Sequence, residues 1–187
     1  MLNNKTLEEI EVKIRIPQES LDSLREKLLA NGFKNTSQRS LELNTLFDFA
    51  DRRLFSSGSA VRLRSYENRE ILTWKGPLKP DPELKIREEI ETEVSSREAA
   101  VLILNRMGLK PVMEYSKFRE KFRALVKDDV EVCIDETRVG NFMEIEGCKE
   151  DINHITALMG LTSSDFVKAT YIELLREEQT EIEDHNK

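Results

Sequence analysis

The stretch EEIEVKIRI, Glu8 to Ile16, alternates strictly from Glu9 onward: Glu9, Glu11, Lys13 and Arg15 fall on one side, Ile10, Val12, Ile14 and Ile16 on the other. A period of two marks a β-strand whose successive side chains point to opposite faces. One face is wholly apolar and the other wholly charged. Where that charged face points decides the fold.

The pattern recurs along the chain. AVRLRSY sets Arg62 and Arg64 opposite Val61 and Leu63, and ILTWK sets Thr73 and Lys75 opposite Leu72 and Trp74. KIREEIETEV lines up Lys85, Arg87, Glu89, Glu91 and Glu93 against Ile86, Ile90 and Val94. KFREKFRAL opposes Lys117, Arg119, Lys121 and Arg123 to Phe118 and Phe122; VEVCIDE opposes Glu131, Cys133 and Asp135 to Val130, Val132 and Ile134. FMEIEG opposes Glu144 and Glu146 to Met143 and Ile145, and LNTLFDF places Asp48 on the face of Asn44 and Leu46. Eight strands are predicted, seven of them charged on one face only. Turn signals at ENR, KDD and RVG make neighbouring strands antiparallel. The connection GPLKPDPEL is longer, proline-rich and a candidate flap.

Four segments carry helical periodicity: SLDSLREKLLANG, SREAAVLILNRMG, DINHITALMG and SSDFVKATYIELLREE. Residues 1–176 are expected to form one domain, followed by an acidic tail, 177–187, expected to be disordered. With 36 acidic against 29 basic residues, a net charge of −7 and clear apolar periodicity, the chain is neither a general nucleic-acid binder nor disordered. No apolar run approaches the ~20 residues of a membrane span, the first residues do not read as a signal peptide, and the 2 cysteines have no metal-ligand spacing. A cytoplasmic protein without a membrane partner is expected.

The helices need apolar partners, and the strands offer apolar faces. If helices cover the outside, the charged faces lie inside, and eight antiparallel strands close into a barrel without exposed edges. The fold expected is α+β, an eight-stranded antiparallel β-barrel with helices packed outside. The alternative is a flat sheet with its charged face in water. Same-sign rows such as Arg62 and Arg64, or Lys117 to Arg123, speak against it, because a merely soluble face intersperses signs. By parity the interior receives 11 bases (Lys13, Arg15, Arg62, Arg64, Lys75, Lys85, Arg87, Lys117, Arg119, Lys121, Arg123) and 10 acids (Glu9, Glu11, Asp48, Glu89, Glu91, Glu93, Glu131, Asp135, Glu144, Glu146). Buried charges on this scale must be hydrated, paired or filled by a charged ligand.

Arg and Lys rows suit phosphate oxygens, and carboxylates two residues apart suit a hard divalent cation such as Mg²⁺ or Mn²⁺. Together they indicate a polyanionic phosphate compound. Neither a G-x-x-x-x-G-K-[ST] loop nor a dinucleotide glycine fingerprint occurs, and His154 and His185 read as surface residues.

EIEVK matches the E-x-E-x-K signature of the CYTH domain, the superfamily of triphosphate tunnel metalloenzymes. FDFADRRL, AVRLR, LTWKGP, REEIETE, KFREKF, IDE, GNFMEIEG and KATYIELL follow in order, so the chain resembles this family from about residue 9 to 175, most closely its class IV adenylyl cyclase-like branch. The resemblance implies an eight-stranded antiparallel tunnel with Glu9, Glu11, Glu144 and Glu146 holding the metal. It implies catalytic roles for Lys13, for Asp135 and for the Glu89/Glu91 pair, as further ligands or water-positioning groups. Lys13, Arg62, Arg64, Lys75, Arg87, Lys117 and Arg119 would grip the triphosphate, with Lys168, on the last helix, reaching the tunnel mouth.

One position departs from the family pattern. Leu46 stands where a tyrosine works with the E-x-E-x-K lysine in several tunnel triphosphatases; Tyr66 and Tyr171 are candidate substitutes. Lys121, Arg123, Glu93 and Glu131, nearer strand ends, are expected to be solvated, Cys133 a small filler, and Trp74, Phe118 and Phe122 barrel–helix core. Three functions fit: a cyclase converting ATP to cyclic AMP and pyrophosphate, a hydrolase of tripolyphosphate, thiamine triphosphate or a nucleotide, and a non-catalytic polyphosphate binder. Either a monomer or a homodimer is compatible with the sequence.

Overall fold

The structure, a computed structural model, describes residues 8–126 and 129–185. Eight strands hydrogen-bond in the closed order β1-β5-β4-β3-β2-β6-β7-β8. They are β1 (Glu8–Ile16), β2 (Phe33–Asp48), β3 (Ala60–Tyr66), β4 (Arg69–Lys75), β5 (Lys85–Val94), β6 (Lys110–Ala124), β7 (Glu131–Thr137) and β8 (Gly140–Glu146). Five helices accompany them: α1 (Leu21–Ala30), α2 (Arg53–Ser56), α3 (Arg97–Arg106), α4 (Lys149–Leu158) and α5 (Tyr171–His185). The ladders β1–β8, β2–β3, β3–β4, β4–β5 and β7–β8 are antiparallel, so the expected α+β barrel is the observed fold.

The chain divides into two compact halves, one built from residues up to Ile10 and from 39–119, the other from 11–38 and 120 onward. In the first, Phe47 and Leu63 of the sheet and Ala100, Leu104 and Leu109 form a buried core, against which Leu54, Val61, Leu72, Val94 and Val101 pack. Leu63 lies between Arg62 and Arg64 in sequence, so α3 covers the face away from the arginines. Ser96 caps α3 by accepting a hydrogen bond from the Ala99 amide. The β3–β4 hairpin turns through Glu67 and Asn68, both at positive φ, as a two-residue turn matched to strand twist requires.

In the second half the apolar face of the opening strand is buried as its alternation predicts. Val12 stands opposite Ile145, Ile14 opposite Met143, and those two stand opposite Val132 and Ile134 of β7. Leu21, Leu24 and Leu28 of α1 and Ile152 and Ile155 of α4 are buried as well. The Arg25 guanidinium ties α1 to Glu120 of β6 at 2.8 Å and to Glu136 of β7 at 3.2 Å. At the β7–β8 turn Gly140 takes φ +122, and a Cβ there would collide with the Arg15 guanidinium, which donates to the Val139 carbonyl at 2.7 Å.

Several expectations change. β2 and β6 extend well beyond LNTLFDF and KFREKFRAL, to 16 and 15 residues. Asp48 is not one of the interior acids: its carboxylate accepts the amides of Phe49, Leu54 and Phe55 and so anchors α2. Phe122 is core, but Phe118 is 38% exposed, with the Arg39 guanidinium 3.7 Å above its ring. The proline-rich 76–84 connection, the candidate flap, is hydrogen-bonded within itself and to the start of β5: the Lys79 amide donates to Ile86 at 2.7 Å, and the Asp81 carboxylate accepts the Glu83 and Leu84 amides. α5 runs through 177–185, most of the stretch expected as a disordered tail, while 186 and 187 lie outside the described residues.

Candidate functional site

In the half containing residues 39–119, strand register assembles a basic array. Arg62 and Arg64 of β3 stand opposite Leu46 and Asn44 of β2 and opposite Thr73 and Ile71 of β4. Both arginines are buried, as are Lys85, Lys117 and Arg119. At the centre lies a residue that charge alternation did not single out. Glu42 is 0% exposed, with Lys117 Nζ at 3.5 Å, Arg64 Nη1 at 3.7 Å and Arg119 Nε at 3.9 Å, and it accepts a hydrogen bond from Asn44 Nδ2 at 3.0 Å. Burial alone would raise its pKa, but Lys117, Arg119, Arg64 and Arg62 together hold it well below the ordinary carboxylate range. Its sequence signal was its parity with Asn44 and Leu46, in a segment too polar to read as a strand.

Glu91 is the second counter-charge. Arg64 Nη2 donates to it at 3.1 Å, Arg62 Nη2 at 3.3 Å and Thr73 Oγ1 at 2.8 Å. Burial opposes its ionisation, yet Arg64, Arg62, the Thr73 hydrogen bond and Lys75 keep its pKa lowered. Burial also works against the Arg62 charge, but Tyr115, Glu42, Glu91 and Glu89 outweigh it and raise that guanidinium's pKa. At Arg64, burial and the neighbouring Arg62 prevail over Glu42 and Glu91, and the pKa falls. Tyr115 lies two residues from Lys117 on the same β6 face and is a further residue missed by the sequence reading. Lys75 contacts Glu89 closely and lies 3.8 Å from Glu9, and Arg87 Nε lies 3.6 Å from Glu89.

Three arginines of this array keep a donor that makes no hydrogen bond, and one oxygen of Glu42 likewise makes none on the acceptor side. The Nε atoms of Arg62, Arg64 and Arg87 are buried without a hydrogen-bond partner. Buried donors without acceptors are costly, and a phosphate oxygen is the acceptor that guanidinium geometry matches.

The half containing residues 11–38 and 120 onward has the opposite balance. Lys13 is 1% exposed. Its ammonium donates to the Ala169 carbonyl at 2.7 Å and lies 3.9 Å from the centroid of the Tyr171 ring and 5.5 Å from that of Phe142. The Tyr171 hydroxyl donates to the buried Asp135 at 2.7 Å. The segment before α5 is fastened beside β1, with the Val167 amide donating to the Lys13 carbonyl and Ile14 bridging to Phe166. Thus Lys13, Tyr171 and Asp135 meet, whereas Tyr66 donates its hydroxyl to the Arg119 backbone. Lys168 precedes α5 instead of lying on it, and is exposed.

Glu11, Glu146 and Glu131 are register neighbours across β1, β8 and β7, and Glu144 stands beside Lys13 one step along. Carboxylates in such a row suit a hard cation in kind, although no three metal-capable side chains converge among the described residues. Glu131 is engaged by Lys121 at 2.8 Å and by Arg123 at 2.9 Å, so it is paired rather than solvated. Glu93 meets Arg69 at an exposed position, in line with the solvated role expected for it. Arg15 is exposed, so it does not join the buried charges.

The chain matches the CYTH domain over residues 7–171. It is 30% identical over 176 residues, 88% of this chain and 98% of the other, to a protein of Methanocaldococcus jannaschii named "Putative adenylate cyclase". A Vibrio parahaemolyticus structure described in the same words superposes with a TM-score of 0.78 at 18% identity, covering 90% of this chain and 97% of that one. A Hippeastrum structure, described as a "putative adenylyl cyclase" with dominant triphosphatase activity, superposes with a TM-score of 0.65 at 22% identity, covering 91% and 96%.

Proposed function

The chain belongs to the CYTH domain family, and from that premise we propose that it is a divalent-metal-dependent enzyme acting on a triphosphate substrate, with ATP cyclised to cyclic AMP and pyrophosphate. The observation that carries this reading is the set of buried Nε donors on Arg62, Arg64 and Arg87 that make no hydrogen bond, within a larger array of bases. Arg62, Arg64, Lys75, Arg87, Lys117 and Arg119 bind the phosphate oxygens, and their fixed positive charge stabilises the negative charge that develops in the transition state. Glu11, Glu144 and Glu146, joined by Glu9, would hold Mg²⁺ or Mn²⁺, which when bound neutralises phosphate charge and polarises phosphorus. In the cyclase reaction the ribose 3′-oxygen forms a bond to the α-phosphorus, the bond from that phosphorus to the bridging oxygen of pyrophosphate breaks, and the hydroxyl proton is lost. Glu89, Glu91 and Asp135 are the carboxylates assigned to orient that hydroxyl or its acceptor, and Lys168 remains a candidate for an outer phosphate contact.

A second reading, hydrolysis, is favoured by Tyr171. Leu46 removes the usual tyrosine, but the Tyr171 ring against Lys13 restores a lysine–tyrosine pair from elsewhere in the chain. Incubation of the purified chain with Mg²⁺ or Mn²⁺ and, separately, ATP, tripolyphosphate and thiamine triphosphate tests both readings. Cyclic AMP with pyrophosphate is the expected outcome, and orthophosphate with a shortened chain transfers the assignment to hydrolysis. No turnover of any of the three, with tripolyphosphate still bound, would leave a binder.

A further inference from the structure

α3 has two faces, and the core of its half uses only one. Ala100 and Leu104 are buried there and Val101 packs beside them. On the other side Leu102, Ile103 and Met107 are 62%, 60% and 64% exposed. Isolated exposed leucines are ordinary, but these three are neighbours on one helix surface. At helical spacing Ala99, Ile103 and Met107 form one i,i+4 ridge, and Glu98, Leu102 and Arg106 form the ridge next to it.

The second ridge has a symmetry of its own. Its acid and its base each lie four residues from Leu102, on opposite sides. A two-fold axis through Leu102 that lays a second α3 antiparallel to the first sets Glu98 of each copy beside Arg106 of the other. The same operation brings Leu102 against its own copy and closes the apolar ridges over one another. A parallel arrangement would oppose like charges instead. An isologous contact requires a surface complementary to itself, and this ridge meets that condition in one orientation only.

We infer that the outer face of α3 is a homodimerisation surface, two copies pairing antiparallel about Leu102. Apolar burial drives the association, and the two Glu98–Arg106 pairs select its orientation. A contact limited to one helix from each copy falls below the ~1,200 Å² of small specific interfaces, so a dissociation constant in the micromolar range is expected. Because α3 covers the sheet face away from Arg62 and Arg64, pairing leaves the proposed phosphate contacts untouched. The inference therefore does not depend on the proposed function.

Sedimentation velocity of the full chain, from about 5 to about 500 µM, brackets that range. The expected result is a concentration-dependent shift from monomer to dimer, abolished by Ile103→Lys with the melting temperature unchanged. Glu98→Arg and Arg106→Glu should each weaken the dimer, and the double exchange, whose ridge is again self-complementary, should restore it. Arg106→Gln, which leaves the Ser96–Glu98 hydrogen bond at the helix start intact, should weaken it without fraying α3. A monomer throughout, a dimer indifferent to Ile103→Lys, or a double exchange no stronger than either single variant would overturn the inference.

Discussion

One half of the molecule sets a single fully buried carboxylate among cations; the other sets a single fully buried ammonium among a carboxylate, a phenol and an aromatic ring. Glu42 has Lys117, Arg64 and Arg119 within 4 Å. Lys13 has the Ala169 carbonyl, the Tyr171 and Phe142 rings and, through the Tyr171 hydroxyl, Asp135. In each half the minority charge is fully buried among groups of the opposite character. In the first half three arginines keep unused hydrogen-bonding capacity at Nε. The difference teaches that a charged array can be stabilised by one inner counter-ion while its remaining valences stay open to a ligand.

The comparison is broken most severely by neutralising the acids proposed for metal. With Mg²⁺ present, Glu9→Gln together with Glu11→Gln should lower turnover by about 100-fold or more, while calorimetric affinity for tripolyphosphate changes only a few-fold. An equal loss of binding would show that the division of labour between acids and bases is wrong. Next in size is Glu42→Gln, expected to cost about 3 kcal/mol in denaturant unfolding, because its cations lose their shared partner. Tripolyphosphate should raise the melting temperature of this variant more than that of the parent chain.

The same residue predicts a pH dependence. The folded pKa of Glu42 is depressed, so its stabilisation is complete above the unfolded value of about 4.3 and fades as pH falls below it. Glu42→Gln should flatten that acid limb in melting experiments across pH. Smaller again is Tyr171→Phe, which keeps the ring against Lys13 but removes the donor to Asp135, at about 1–2 kcal/mol. If hydrolysis is the true activity, this variant should also lose kcat with little change in KM. Smallest is Arg69→Ala, which breaks only the exposed pair with Glu93 and should leave the melting temperature unaltered.

The sequence was legible wherever one parity was apolar and the other charged. β1, β3, β4, β5, β7 and β8 largely meet that condition, and each forms a strand over the stretch that its alternation marked, although alternation says nothing of which strands pair. Lys34, Asn35, Thr36, Gln38 and Arg39 give β2 no apolar face over much of its first part, so pairing rather than pattern makes it a strand. Glu42 was missed because it lies where that pattern is thin. Asp48 was misplaced because parity cannot see a carboxylate bound by backbone amides. Phe118 was assigned to the core by alternation, yet alternation reports which face a residue is on and not whether anything covers that face. Tyr171 could be named from sequence, but its contact with Lys13 spans 158 positions and depends on the closing segment of the chain.

That closing segment has a consequence for how the protein is made. The first strand pairs with β5 on one side but with the last strand on the other, and Lys13 donates to the Ala169 carbonyl, so the contacts on that second side wait for residues 140–169. During synthesis, at about 5–20 residues per second, the alternating apolar edge of β1 stays unpaired on that side for several seconds. Contacts of such long sequence separation make folding slow, and an open strand edge invites wrong partners. Charged side chains on an open strand oppose such pairing, and Glu9, Glu11, Lys13 and Arg15 supply them along β1 before there is any site to line.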